Sequence, residues 1–224
     1  MSFLDIFSKN KKDSHRIERP LSESSFREML YFAEERELHP RLPDLTGKKV
    51  LEISPNQKTF LKELQHKGAQ AMARLGTSQD KGREPGNSQV PFILAHWENL
   101  PFLKESLDFV LLRTSFLKTG LSRLVHESGR IVKPKGMVLV SDRHPFSQMV
   151  QGEHFKNPAG EEGIGPGFER YLKIFQESGL RLTWVKELFF DGSLKKFFAS
   201  KTEQENFNHL RKTPFLISFL LSKE

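Results

Sequence analysis

Lys49-Val50-Leu51-Glu52-Ile53 runs into Ser54-Pro55-Asn56-Gln57-Lys58, after which Phe60, Leu61, Leu64 and Ala69 recur at helical spacing, with Gly68 near the end of the run. A short segment that is apolar on both faces suits a strand buried between two layers. The residues that follow change to the 3.6-residue period of an amphipathic helix. A strand followed by a helix is half of a βαβ unit, so the fold turns on whether the alternation continues.

Downstream it does. Ala71-Met72-Ala73-Arg74-Leu75 reads as a second, weaker strand and Pro91-Phe92-Ile93-Leu94 as a short third one. Leu107-Asp108-Phe109-Val110-Leu111-Leu112 is a fourth, apolar apart from Asp108, and Met137-Val138-Leu139-Val140-Ser141 a fifth. A helix through Leu121, Leu124, Val125 and Ile131 precedes the fifth strand, stopped by Pro134 and Gly136. Another helix spans Phe168 to Glu177 and closes at Gly179, a residue suited to a left-handed cap. Leu180–Phe190 and Phe215–Leu221 read as the last strands. No comparable helix signal lies between them, so antiparallel pairing at one edge is expected. Upstream, Phe26, Met29, Leu30, Ala33 and Leu38 share one helical face, with Ser24 or Ser25 as cap and Pro40 and Pro43 as stops.

The order predicts an α/β, doubly wound, mostly parallel sheet with right-handed crossovers. Residues 1–22 read as an N-terminal tail and 23–224 as one domain. Residues 76–90 are polar and turn-rich, a mobile loop. The glycines at 160, 163, 165 and 167 follow no strand that would feed a phosphate loop, so they read as a flexible lid or connector.

With 224 residues there is material for one domain, and 20 Phe make its core aromatic. The absence of Cys excludes disulfides, thiolate metal sites and Cys nucleophiles. No apolar run reaches the roughly 18–20 residues of a membrane helix. The N-terminus alternates Phe and Leu with Asp and Lys, unlike a signal peptide, so a cytoplasmic location is expected. The net charge of +7 is spread along the chain as on solvated helix faces, and no nucleic-acid motif accompanies it. Nucleic acid is therefore not the expected partner. Phe3, Leu4, Ile6 and Phe7 precede Lys9, Lys11 and Lys12. A lone amphipathic segment over residues 3–12 binds lipid weakly, so packing or disorder is expected there rather than membrane contact.

Four segments, in order and correctly spaced, resemble the class I S-adenosylmethionine-dependent methyltransferases, the type 11-like group that includes ubiquinone and biotin biosynthetic enzymes. Lys49–Ile53 is similar to that family's first strand. Glu98-Asn99-Leu100-Pro101-Phe102 followed by Ser106–Leu111 resembles its third and fourth motifs. Arg130-Ile131-Val132-Lys133-Pro134-Lys135-Gly136 and the strand after it resemble its fifth-strand turn. Thr213–Leu221 resembles its last strand. The resemblance covers residues 45–224 and implies a seven-stranded sheet with a final antiparallel strand, flanked by helices. It also implies S-adenosylmethionine as cofactor and a small-molecule methyl acceptor.

At the positions that resemblance assigns to the cofactor, the chain departs from the pattern. The family's loop glycines, which let backbone pass close to a ligand, are replaced by Ser54, Asn56 and Lys58. One reading makes Ser54 an N-cap, Pro55 the first helical residue and Gln57 part of a capping box, with strand one entering its helix directly. The other is a modified working loop, since Asn56 tolerates the left-handed region. The family's ribose-binding acid after strand two has no counterpart around Leu75, and His96, followed by Trp97, stands where an adenine-binding acid is common. His96 can accept a hydrogen bond and Trp97 can stack on a purine; alternatively His96 is solvated and Trp97 closes the core edge. Glu52 retains the family's acid, which supports the loop. Reduced or absent S-adenosylmethionine binding is the expectation.

Ligands of open α/β sheets bind outside the carboxyl ends of strands. Ser141-Asp142-Arg143-His144-Pro145 sits at such an end. His144 is the candidate general base toward a methyl acceptor, with Asp142 positioning; the alternatives are a loop His bonded to backbone and a turn-forming Asp. No metal site is expected. Two functions compete: methyl transfer to a small acceptor, and a non-catalytic methyltransferase-like scaffold for a protein partner. For the scaffold, the Phe-rich Leu188–Phe198 segment offers an interface, unless it forms the edge of the core.

Overall fold

The computed structural model describes residues 23–54, 59–76, 92–96, 99–114, 120–145, 155–156, 162–163 and 167–224. The readings made above for residues 1–22, Asn56, Lys58 and Trp97 lie outside the described residues, as do most of the glycine-rich stretch and the 76–90 loop apart from Gly76, which ends a strand.

Seven strands form one sheet: β1 (Lys49–Ile53), β2 (Ala71–Gly76), β3 (Phe92–Leu94), β4 (Leu107–Arg113), β5 (Val132–Arg143), β8 (Leu180–Phe189) and β9 (Pro214–Lys223). Their order is β3-β2-β1-β4-β5-β9-β8. The first five pair in parallel, and β9 runs antiparallel to both β5 and β8. A two-stranded hairpin of β6 (Phe155–Lys156) and β7 (Glu162–Gly163) stands apart. The strand order turns back between β1 and β4, the switch point at which an open α/β sheet leaves a crevice.

The helices are α1 (Glu23–Leu38), α2 (Leu61–His66), α3 (Leu121–Ile131), α4 (Phe168–Glu177) and α5 (Lys201–Leu210). On one sheet face, Leu51, Ile53, Val110, Leu112, Val138 and Val140 pack with Leu124 and Val125 of α3 and Tyr171 and Phe175 of α4. On the other, Val50, Phe109, Leu111 and Leu139 pack with Leu61 and Leu64 of α2 and with Leu38 and Leu45. Beside that cluster, Phe26, Met29 and Leu30 of α1 join Phe190, Phe198, Phe207 and Phe215. Alternate residues of each strand therefore feed two apolar layers, at about 1.5–3 kcal/mol per fully buried large side chain.

Four expectations need correction. The helix after β1 begins at Leu61, with Phe60 at its N-cap, so Ser54 does not cap it. The Glu52 carboxylate takes the capping role, accepting the Phe60 N–H at 3.0 Å on both oxygens. Ser24 and Ser25 lie within α1. A helix does separate the last two strands: α5, started by a capping box in which Ser200 accepts the Glu203 N–H and Glu203 accepts the Ser200 N–H. Finally, Pro134 and Gly136 do not merely end α3. β5 starts at Val132, and the pairing with β4 skips from Leu107–Val132 to Phe109–Met137, leaving Lys133 to Gly136 outside the ladder with Lys135 at φ +62°. Pro, which cannot donate to a ladder, is tolerated at such an irregularity.

Candidate functional site

The carboxyl ends of β1, β4 and β5 carry two polar clusters, one on each sheet face. Even-numbered β4 and β5 residues at these ends point toward α4, odd-numbered ones toward α1, so Arg113 and Ser141 fall on the α1 face and Asp142 and His144 on the other.

On the α1 face, Arg113 is buried at 2% exposure between Glu34 of α1 and Glu52 of β1. Its Nε donates to Glu34 Oε2 at 2.9 Å and its Nη1 to Glu52 Oε1 at 3.3 Å. The guanidinium lies 5.1 Å from the ring centroids of both Tyr31 and Phe60. Ser141 Oγ donates to Glu34 Oε1 at 2.7 Å, and the Thr59 hydroxyl donates to Glu52. Burial opposes the charge on Arg113, but the Glu34 and Glu52 carboxylates outweigh it, and the pKa is raised. The network joins α1, β1, β4 and β5 to the chain entering α2. Sequence reasoning missed Glu34 and Arg113. The available signal was Glu34 at i+4 from Leu30 in the apolar stripe of α1, and an arginine ending an otherwise apolar strand.

On the α4 face, the half-buried Asp142 accepts the Arg143 N–H at 2.8 Å and the Tyr171 hydroxyl at 2.8 Å. Burial pushes its carboxyl up to about 6, against the hydrogen bonds from Tyr171, the Arg143 N–H and Thr114. Burial, with the Asp142 charge beside it, pushes the Tyr171 hydroxyl up as well. Two residues on, His144 is buried at 8% exposure. Its backbone N–H donates to Phe215 O at 3.0 Å, and its Nε2 lies 2.9 Å from Glu187 Oε1 on β8. With Glu187 as a carboxylate, which only accepts, Nε2 is the donor in this contact. His144 is thus bonded through both backbone and ring, and Asp142 does more than form a turn. Glu187 and Tyr171 were not read from sequence; neither follows from local pattern, because both meet their partners across the sheet.

The positions assigned to a cofactor are dispersed. Glu52 is fully buried in the network and Ser54 is buried at the end of β1. Leu75 is buried in the core with Ile53 and Leu100, and His96 is exposed. Among the described residues, no group of three His, Asp or Glu side chains is placed to hold a metal ion, and no helix is long and apolar enough to cross a membrane. The Phe-rich segment proposed as an interface is mostly core: Leu188, Phe190, Leu194 and Phe198 are buried, and Phe189 alone among its large apolar residues is strongly exposed.

Comparison with known proteins agrees with this architecture. Residues 49–140 match a family described as a methyltransferase domain. The chain is 29% identical over 119 residues to phthiotriol/phenolphthiotriol dimycocerosates methyltransferase 1 of Mycobacterium ulcerans (strain Agy99); the match spans 49% of this chain and 43% of that protein. An S-adenosylmethionine-dependent methyltransferase structure from Mesorhizobium loti superposes with a TM-score of 0.65 at 14% identity, over 87% of this chain and all of that one. Geranyl diphosphate C-methyltransferase from Streptomyces coelicolor A3(2), solved with Mg2+, geranyl diphosphate and S-adenosyl-L-homocysteine, gives 0.62 at 12% identity, over 91% and 84%.

Proposed function

We propose that this chain, which belongs to the class I S-adenosylmethionine-dependent methyltransferase superfamily, keeps the acceptor end of that fold but holds the cofactor weakly or not at all. Methyl transfer to a small molecule is then weak or lost. The observation that carries this reading is the run Arg74-Leu75-Gly76-Thr77-Ser78 at the end of strand two, which holds no acid where the family resemblance calls for one facing the ribose hydroxyls.

Two further positions support the reading. Ser54 replaces a loop glycine and is itself buried at 1% exposure. His96, in place of an acid, faces solvent. Asn56 and Lys58 complete the loss of loop glycines. These residues do not fit the family's way of holding S-adenosylmethionine.

The remaining polar residues are arranged for proton handling. His144, held by Glu187, and Asp142, with its carboxyl near 6, are the two groups suited to orient or deprotonate a hydroxyl brought to this end of the sheet. A protein with no catalysis at all, serving as a scaffold, is the limit of the same reading. Burial of Leu188, Phe190, Leu194 and Phe198 leaves that scaffold reading little apolar surface in the Phe-rich segment.

The test is ligand-induced stabilisation. A ligand at a hundred times its dissociation constant stabilises the fold by about 2.7 kcal/mol. Melting should not shift with millimolar S-adenosylmethionine in the natural protein. A variant with Gly at positions 54, 56 and 58 should respond more. A clear shift in the natural protein would contradict the proposal.

A further inference from the structure

Val185, Lys186, Glu187 and Phe189 of β8, Ile217 of β9 and Phe168 at the start of α4 line a pocket of about 370 Å³. That volume lies within the range of small-molecule sites. The pocket is open to solvent and its lining is part polar, with Phe168, Val185 and Phe189 43%, 41% and 43% exposed. Grouped exposure of large apolar side chains marks a binding surface more often than scattered exposure does. The pocket is walled by two aromatic rings and two aliphatic side chains. Its polar groups are Glu187 on the wall and Lys186, and Glu187 is the one tied to the interior, through His144 Nε2 at 2.9 Å. It lies against β8 and β9, on the outer side of β5.

We infer that this corner binds a neutral, ring-bearing apolar molecule with one hydroxyl, the rings and aliphatic side chains covering its apolar body and Glu187 accepting its hydroxyl hydrogen. Both Glu187 oxygens are acceptors, so one can hold His144 while the other takes the ligand donor. Lys186 alternates with Val185 and Glu187 along β8, so its side chain points to the opposite sheet face, and the charge that a carboxylate-bearing molecule of the same shape meets is that of Glu187. Glu187 links the ligand hydroxyl to His144, and so is a positioning residue for that imidazole. The inference rests on the reading that this end of the sheet keeps a ligand role. It does not require the cofactor, and is tested without it, so its failure and a failure of the cofactor reading are separate results.

The probe is naphthol, whose fluorescence changes on leaving water, with naphthoate as its anionic counterpart. The full chain should bind naphthol saturably and prefer it to naphthoate by about tenfold or more, the equivalent of 1.4 kcal/mol. Val185→Glu, at an exposed position that the fold does not need, should weaken naphthol by at least about tenfold by placing a charge on the apolar wall. Glu187→Gln keeps an acceptor for His144 and for the hydroxyl. It should hold naphthol within about threefold while erasing the preference over naphthoate, a change that a merely structural role would not produce. Absence of saturable binding, equal affinity for the two probes in the natural protein, an unaffected Val185→Glu variant, or an undiminished preference in Glu187→Gln would each overturn the inference.

Discussion

Asp142 and Arg113 show how differently two charged residues at adjacent strand ends are handled. Asp142 is held by three donors, yet burial dominates and its carboxyl sits near 6, above its ordinary value of 3.8. The folded state therefore binds a proton more tightly than the unfolded chain. The stability this adds is complete below about pH 4 and is lost as pH rises through about 6. Asp142→Asn removes the charge and keeps an acceptor for Tyr171. It should be more stable than the natural protein above neutrality, by on the order of 2 kcal/mol, with the difference shrinking toward pH 4. Urea unfolding at several pH values measures this. Arg113 is the opposite case, stabilised as a cation by two buried carboxylates. Arg113→Met leaves Glu34 and Glu52 uncompensated in the interior and should cost about 3–5 kcal/mol in chemical denaturation. Loss of less than about 1 kcal/mol would show that water reaches these carboxylates. Neither behaviour was legible in sequence. Asp142 was read as a positioning or turn residue, and Arg113 passed unnoticed, because their partners come from α4, α1 and β1.

At the level of elements, the sheet was legible almost strand for strand, because continuous apolar runs such as Leu107–Leu112 admit little else in a chain of strand–helix alternation. Helix starts were less legible. Ser54 and Pro55 offer good cap chemistry locally, but the Glu52 carboxylate, placed by β1, claims the Phe60 N–H and sets the start of α2 six residues later than Pro55 would. Helix α5 was missed because only Phe207 and Leu210 face the core in an otherwise polar segment, although its Ser200–Glu203 capping pair stood in plain sight. The end of α3 shows a device outside local pattern. Lys223, near the C-terminus, donates from Nζ to Gly129 O and Val132 O, both at 2.9 Å, where helix carbonyls lack partners. Lys223→Met should destabilise the fold by about 1–2 kcal/mol, read as a lower urea midpoint with an unchanged slope. A neutral effect would mean that solvent serves those carbonyls equally well.

Among the described residues the sheet and helices of the methyltransferase fold are present, and the proposed function gives that scaffold an altered ligand end. The scaffold is shared with solved methyltransferases at 12–14% identity, so its likeness speaks to architecture and leaves chemistry to the residues. Those residues divide by location. Around β1 and β2, Ser54 and Leu75 are drawn into the interior, and the acid of Glu52 is spent on Arg113 and the entry to α2. Around β5, β8 and β9, His144, Asp142 and Glu187 are paired and poised beside a pocket with apolar walls. The sequence reading raised the first half as an expectation, from Ser54, Asn56, Lys58, the missing acid after strand two and His96. It named His144 and Asp142 but left out Glu187, which is brought to His144 only by the pairing of β8 with β9. The central claim, weak or absent cofactor binding, is tested most directly by calorimetric titration of the full chain with S-adenosylmethionine and S-adenosylhomocysteine. The account predicts no saturable heat up to millimolar ligand. A saturable isotherm with a micromolar dissociation constant would contradict it, and would make Ser54, Leu75 and His96 part of an unusual but working cofactor site.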